Sequence, residues 1–270
     1  MDGVASDRKP SDRERMVVAA GRLIRDGERV FVGTYWPIPA ALFAKRSHTP
    51  RSVLLFEGGL VCSALPPRIP LIASDPTLLA ASELAGDVFD TLGALLHGGR
   101  ADVGMLSAHS VDRYGNINTT CIGPYESPNV RLAGSGGACD FGSLAPRLIL
   151  MMEHDPRRFP HRIDFITTPG HLGGGETRLQ AGLPPRRGPD QVVTTLGLFG
   201  FDPESREMVL EGVYPGVTVE EVRREIQWSL RVSPYLVEIP EPTEEELRIL
   251  REEVDPYGMF LRDRRISSTP

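Results

Sequence analysis

Val53-Leu54-Leu55-Phe56 is a run of four apolar residues that stops at Glu57-Gly58-Gly59. Such a run is too short for a helix and lacks the polar alternation of a half-exposed strand. It reads as a strand buried on both faces, the pattern of a parallel sheet. Leu148-Ile149-Leu150-Met151-Met152 gives the same signal more strongly in the second half. Parallel strands need crossover connections, and helical signals separate the runs. Ser11 and Glu14 form an S-x-x-E capping box that predicts a helix to about Arg25. Val30 to Gly33 then reads as a strand, and Ala40 to Lys45 as a short helix. Helix, strand, helix, strand is the order of an α/β fold with parallel pairing.

Further along, Pro70 to Ala73 is expected as a short strand. Asp87 opens a helix with Val88, Leu92, Leu95 and Leu96 on one face, closed by Gly98-Gly99. Val103 to Ala108 and Phe165 to Thr168 read as strands. Gln191 to Phe201 reads as paired strands broken at Gly197, and Met208 to Leu210 as another strand. Two more capping boxes, Thr218/Glu221 and Thr243/Glu246, open late helices, giving an irregular helical C-terminal end. The expected organisation is a single domain over residues 11–262, a flexible extension at 1–10 and a flexible tail at 263–270.

Composition sets bounds. A chain of 270 residues buries enough surface to need no metal or disulfide staple. A net charge of −6 argues against nucleic-acid binding driven by charge. No stretch approaches the roughly 18 apolar residues of a membrane helix. Three cysteines, Cys62, Cys121 and Cys139, show no paired spacing, so reduced thiols and the cytoplasm are expected. The 28 glycines and 24 prolines mark many turns, and some of those turns carry the chemistry.

A carboxylate at the C-terminal end of a parallel strand, beside two residues without side chains, sits where open α/β sheets bind ligands. Glu57 is therefore a candidate nucleophile or general base, or simply an acid in a turn. Two other glycine turns stand out: Tyr114-Gly115-Asn116-Ile117-Asn118 and Gly134-Ser135-Gly136-Gly137-Ala138. Exposed amides in such turns stabilise anions. Taken singly, each is ordinary turn chemistry. Together with an exposed acid they describe an acyl-transfer site. Other constellations fail. His154 and His161 lack zinc spacing, and there is no C-x-x-C. Ser135 is not in a nucleophile elbow, and no dinucleotide or phosphate-loop fingerprint is present. His171 reads as a solvated loop residue and Cys139 as a small buried one. The pairs Arg157-Arg158 and Arg186-Arg187 read as surface, or as clamps for a phosphate of coenzyme A.

The three turns in this order, Phe56 to Leu60, Val111 to Thr120 and Gly134 to Ala138, resemble the B subunit of class I CoA-transferases, of the glutaconate CoA-transferase type in particular. The likeness continues through Met151 to His154, Arg157-Arg158-Phe159, Thr168-Pro169-Gly170 and Glu252 to Pro256, and spans roughly residues 15 to 260. It implies a three-layer, open, mainly parallel sheet related to ribose-5-phosphate isomerase. It implies a nucleophilic glutamate at Glu57. It also implies oxyanion or substrate contacts at Asn116 or Asn118 and at Gly136, Gly137 and Ala138, with Gly58 and Gly59 shaping the turn. Gly58 stands where glutaconate-type members carry Ser and others Asn, so a side-chain hydrogen bond is missing there. The resemblance further implies an A subunit, an (αβ)₂ or larger assembly, acyl-CoA and carboxylic acid substrates, and no metal or other cofactor. Hydrolysis or decarboxylation of CoA esters is the alternative reaction. A non-catalytic acyl-CoA or sugar-phosphate sensor is the remote one, and the DNA-binding helix pair expected of such a repressor domain is not evident in the sequence.

Overall fold

The computed structural model describes residues 8–184 and 187–262. Residues 1–7 and 263–270, assigned above to terminal extensions, lie outside the described residues. Arg8, at the inner end of the first extension, is tied down: its guanidinium lies 3.6 Å from Glu14 and its carbonyl accepts from Arg251.

The first half runs α1 (Asp12–Arg22), β1 (Arg29–Val32), α2 (Pro37–Ser47), β2 (Val53–Phe56), β3 (Leu60–Cys62), a 3₁₀ turn (Pro76–Ala81), β4 (Ser82–Ala85), a π-helix (Phe89–His97) and β5 (Val103–Ser107). Four two-residue strands follow in the next loops: β6 (Ser110–Val111), β7 (Ile117–Asn118), β8 (Cys121–Ile122) and β9 (Val130–Arg131). The second half holds α3 (Ala138–Leu144), β10 (Arg147–Met152), α4 (Thr177–Gln180), β11 (Pro189–Thr194), β12 (Gly197–Phe201), β13 (Met208–Val213), α5 (Val219–Arg224), β14 (Arg231–Glu238) and α6 (Glu244–Arg248), which runs on as a π turn to Val254. All three capping boxes form, with both reciprocal hydrogen bonds in each.

Ten strands make one sheet in the order β14-β13-β12-β11-β10-β5-β1-β2-β3-β4. The centre, β11 through β2, is parallel throughout. Antiparallel hairpins flank it, β2–β3–β4 on one side and β11–β12–β13 on the other. From β1 the chain first steps to β2, then returns to the opposite side at β5. Strand order therefore reverses between β1 and β5, which opens a crevice at the carboxyl ends of these strands.

Alternate residues of each central strand feed two separate cores, as the two-residue period of a strand requires. Val30, Val32, Leu54, Phe56, Met105, Ile149 and Met151 pack against α1, α2 and the C-terminal helix. Phe31, Leu55, Leu148, Leu150 and Met152 pack on the other face with Leu96 of the π-helix, Phe141 of α3 and Val222 of α5. Each such side chain contributes about 1.5–3 kcal/mol by leaving water. The result is helix, sheet, helix, the expected three layers.

Three expectations fail. Pro70 to Ala73 is a turn rather than a strand, because Asp75 takes the Leu71 and Thr77 amides onto its carboxylate and donates its own amide to Ile72. Phe165 to Thr168 makes only one bridge, Thr168 to Ile117, since the partner β7 is two residues long. The C-terminal region is not merely helical: β14 extends the sheet by eight residues. Most of β14 is exposed, so it lacks the apolar run that marks the central strands.

Candidate active site

Glu57 occupies the tip of the β2–β3 hairpin. The Gly59 amide donates to the Phe56 carbonyl at 3.1 Å, and Gly59 has φ +96. A three-residue hairpin loop that closes on a residue with positive φ is a common hairpin connection. Gly59 has a second constraint: a β-carbon there would meet the Gly86 carbonyl oxygen at 2.3 Å. Gly58 is exposed, and a β-carbon on it would stand 3.0 Å from the Ser74 side chain. The two glycines thus hold the turn against the start of the π-helix and against the 73–74 loop. Phe56 belongs to the α1/α2 face, so the next side chain, Glu57, projects to the opposite face.

There it meets the Gly134–Ala138 turn. The Gly137 amide donates to Glu57 Oε2 at 3.0 Å. A β-carbon on Gly137 would stand 2.8 Å from the same oxygen, and one on Gly136 3.5 Å from each carboxylate oxygen. Absent side chains are what let the backbone approach the acid. Leu92 of the π-helix packs on Gly137, and the Thr91 hydroxyl donates to the Glu57 carbonyl oxygen at 3.3 Å. Glu57 is half-buried. Ala138 closes the turn instead of facing the acid, with its amide on Ser135 at 3.0 Å.

The third turn holds the other two in place. Asn116 is buried and spends its side chain on the loops: Nδ2 donates to Asp112 and to the Leu172 carbonyl, and Oδ1 accepts from the Gly170 and Leu172 amides. No donor is left for an oxyanion. Asn118 Nδ2 donates to the Cys121 carbonyl at 2.7 Å, and its Oδ1 accepts from Thr120 and Cys121. The neighbouring Thr119 exchanges two hydrogen bonds with Gly134, its hydroxyl and its carbonyl both engaged. The Asn118 loop is thereby tied to the turn that holds Glu57. Burial raises the Asp112 carboxyl above the usual range, against the lowering effect of its hydrogen bonds from Asn116 and Tyr114.

The whole segment that builds this arrangement, residues 13–225, matches the family model described as Coenzyme A transferase. The chain belongs to the coenzyme A transferase family. It is 38% identical to the B subunit of 3-oxoadipate CoA-transferase from Pseudomonas knackmussii over 241 residues, 89% of this chain and 92% of that one. It is 33% identical to the B subunit of glutaconate CoA-transferase from Acidaminococcus fermentans over 257 residues, 93% of this chain and 95% of that one. The crystal structure of the latter organism's glutaconate CoA-transferase superimposes with a TM-score of 0.88 at 31% identity, covering 96% of this chain and 99% of the other. Identity is higher to the 3-oxoadipate protein than to the glutaconate one, so the likeness does not single out glutaconate.

Within the coenzyme A transferase fold the other sequence candidates separate cleanly. His171 is buried, not solvated: its Nε2 meets the Pro189 carbonyl at 3.0 Å, and burial lowers its pKa to about 4. His154 is lowered to about 4 by the same cause, between Phe159 and Phe199. Cys139 is exposed rather than buried, because α3 turns it outward from Phe141 and Gly142. Among the described residues no cluster of His, Cys, Asp or Glu would hold a metal, and no helix is long and apolar enough to cross a membrane. Arg157 pairs with Asp155, and Arg187 donates to the Leu144 carbonyl; Arg186 lies outside the described residues. The sequence marks Leu92 only as part of an apolar helix face, and nothing in it marks Thr91 as a support of the acid. Tyr35 is likewise unmarked; it follows β1 at the same sheet edge with φ 78, its ring tilted against Trp36 with centroids 4.5 Å apart. Nothing in the sequence marks a positive φ at a tyrosine.

Proposed function

We propose that this chain is the B subunit of a two-subunit CoA-transferase that moves coenzyme A from an acyl-CoA to a carboxylic acid through a glutamyl-CoA thioester on Glu57. The observation that carries this reading is the Glu57 carboxylate at the sheet's carboxyl edge, met by the Gly137 amide at 3.0 Å with Gly136 beside it. The glutamate is a nucleophile with a ready anion donor at its side.

The steps follow a ping-pong sequence. A Glu57 oxygen attacks the thioester carbonyl, and the oxyanion forms beside the Gly136–Gly137 backbone. The carbon–sulfur bond breaks, and coenzyme A leaves as thiolate with the electron pair. The resulting mixed anhydride is attacked at the Glu57 carbonyl by that thiolate, which frees the donor acid as carboxylate. The acceptor acid then reverses both steps. No proton need be stored and no redox change occurs. Gly137 restrains the free carboxylate before attack, and its amide is positioned for the oxyanion once Glu57 is acylated. Asn118 has a second amide hydrogen beyond the one given to Cys121; Asn116 and Ala138 are better read as supports of the two turns.

Both relatives named above act, by name, on short dicarboxylic acids, which makes that class the first to screen. An A subunit completes the enzyme, since both are B subunits by name. Glu57→Ala in the complex with that partner is expected to abolish transfer at unchanged complex formation. Transfer within a few-fold of the parent rate would reject the nucleophile assignment.

A further inference from the structure

Tyr35 holds a left-handed backbone, φ 78, in the turn between β1 and α2. An L residue with a bulky side chain avoids that conformation, because its β-carbon crowds a carbonyl oxygen. The turn is clamped in place. Ser107, the last residue of β5, accepts the Trp36 amide at 3.1 Å and donates to the Thr34 carbonyl at 3.1 Å. These two bonds fix the residues on either side of Tyr35 to the end of β5, where strand order reverses and the crevice opens. Burial does not offset the strain. Tyr35 is 47% exposed, and its ring is only tilted against Trp36 and Phe260, with centroids 4.5 and 5.9 Å away. Its hydroxyl has no hydrogen-bond partner among the described residues. A strained residue that its surroundings hold in place, with an exposed ring and a free donor at a sheet's carboxyl edge, marks a ligand contact.

The Tyr35 turn adjoins the Glu57 turn. β1 and β2 are neighbours with Val32 level with Phe56, so both turns leave strand ends that lie roughly 4.8 Å apart. The 73–74 loop joins them: the Thr34 hydroxyl oxygen accepts the Ala73 amide at 3.4 Å, and a β-carbon on Gly58 would stand 3.0 Å from the Ser74 side chain. Glu57 projects to the face opposite Phe56, whereas the Tyr35 ring leans on Trp36 and Phe260 of the first core. The carboxyl edge of β1 and β2 lies between the two side chains. A short ligand that reacts at Glu57 with one end crosses this edge with the other. A phenol donates one O–H, and its bond to a carboxylate is of the stronger, charge-assisted kind. A monocarboxylic acid of the same length offers that hydroxyl only hydrocarbon. Resting on the CoA-transferase reading, we propose that Tyr35 is a specificity-determining residue, its hydroxyl donating to the far carboxylate of a dicarboxylic acid whose other carboxylate reacts at Glu57.

The test uses the complex with the A subunit. It compares the parent with Tyr35→Phe, which keeps the ring and removes the hydroxyl, and with Tyr35→Gly, which removes both and adopts a positive φ freely. Glutarate and adipate are titrated calorimetrically beside pentanoate and hexanoate, the monocarboxylic acids of equal length. Values of kcat/KM are measured for the same four acids as acceptors from succinyl-CoA. The parent is expected to prefer each dicarboxylic acid by about tenfold or more, and both variants to lose most of that preference. The monocarboxylic acids should bind all three proteins alike. A preference kept in Tyr35→Phe overturns the assignment, as does a parent with no preference. An equal loss for both kinds of acid overturns it too, since that marks a packing role for the ring. Failure of either variant to join the A subunit does the same, since that marks an interface residue. The titration needs no turnover. A complex whose preference depends on Tyr35 but which forms no thioester on Glu57 rejects the transfer reading and leaves this one standing. Transfer through Glu57 with the preference intact in Tyr35→Phe does the reverse.

Discussion

At the scale of single residues, the site turns on Gly137. Its amide reaches Glu57 only because no β-carbon separates them. Gly137→Ala would drive a methyl to within 2.8 Å of Oε2 and displace the carboxylate from its donor. The expected result is a fall in kcat of about 10²-fold or more, with the melting temperature close to the parent's, measured by steady-state transfer and thermal unfolding. The sequence marks Glu57 after its buried strand and the Gly134–Ala138 turn separately, each ordinary turn chemistry alone, and the fold brings the acid against Gly136 and Gly137. The role of Asn116 was not legible. Its polarity shows in the sequence, but where its four hydrogen bonds go depends on Asp112, Gly170 and Leu172, and the last two lie more than fifty residues away. His171 misled for the same reason: a glycine loop reads as solvated until the neighbour that covers it, Phe201 at 4.9 Å, is known.

At the scale of elements, signals confined to a few neighbouring residues translated directly. The capping boxes did so because both partners sit three residues apart. Thr218→Ala, which removes the hydroxyl bonded to the Glu221 amide, is expected to cost about 1 kcal/mol in urea unfolding and to leave transfer unchanged. A loss of activity with intact stability would mean that α5 does more than cover the second core. The buried strands β2, β5 and β10 were equally plain, since apolar runs announce two-sided burial. Edge elements were not. β3 and β4 form because the Glu57 hairpin folds back on β2, and β14 is drawn in by β13; neither carries a long apolar run. The 89–97 helix was visible, but not its π geometry, and Val88 proved exposed where a buried face was expected.

At the scale of the whole molecule, the reversal of strand order between β1 and β5 places the Glu57 turn and Tyr35 along one carboxyl edge. The amino-terminal half, α1 with the first core, and the later half, α5 with the second, brace that edge from both faces. Two buried histidines tie this frame to pH. His154 and His171 hold folded pKa values near 4 against a reference of 6.5, both through burial. The unfolded chain binds those protons first, so folding stability is expected to fall as pH drops from 6.5 toward 4 and to recover above that window. Urea midpoints across the range check the sign; a midpoint that rises on acidification would contradict it. The central claim, that Glu57 accepts coenzyme A, is tested most directly by intact mass spectrometry of the complex incubated with an acyl-CoA and no acceptor acid. This chain is expected to gain the mass of coenzyme A less one water, located to Glu57 by peptide mapping and absent in Glu57→Gln. Steady turnover of the thioester with no such adduct under rapid quench, or the adduct on another residue, would contradict that claim.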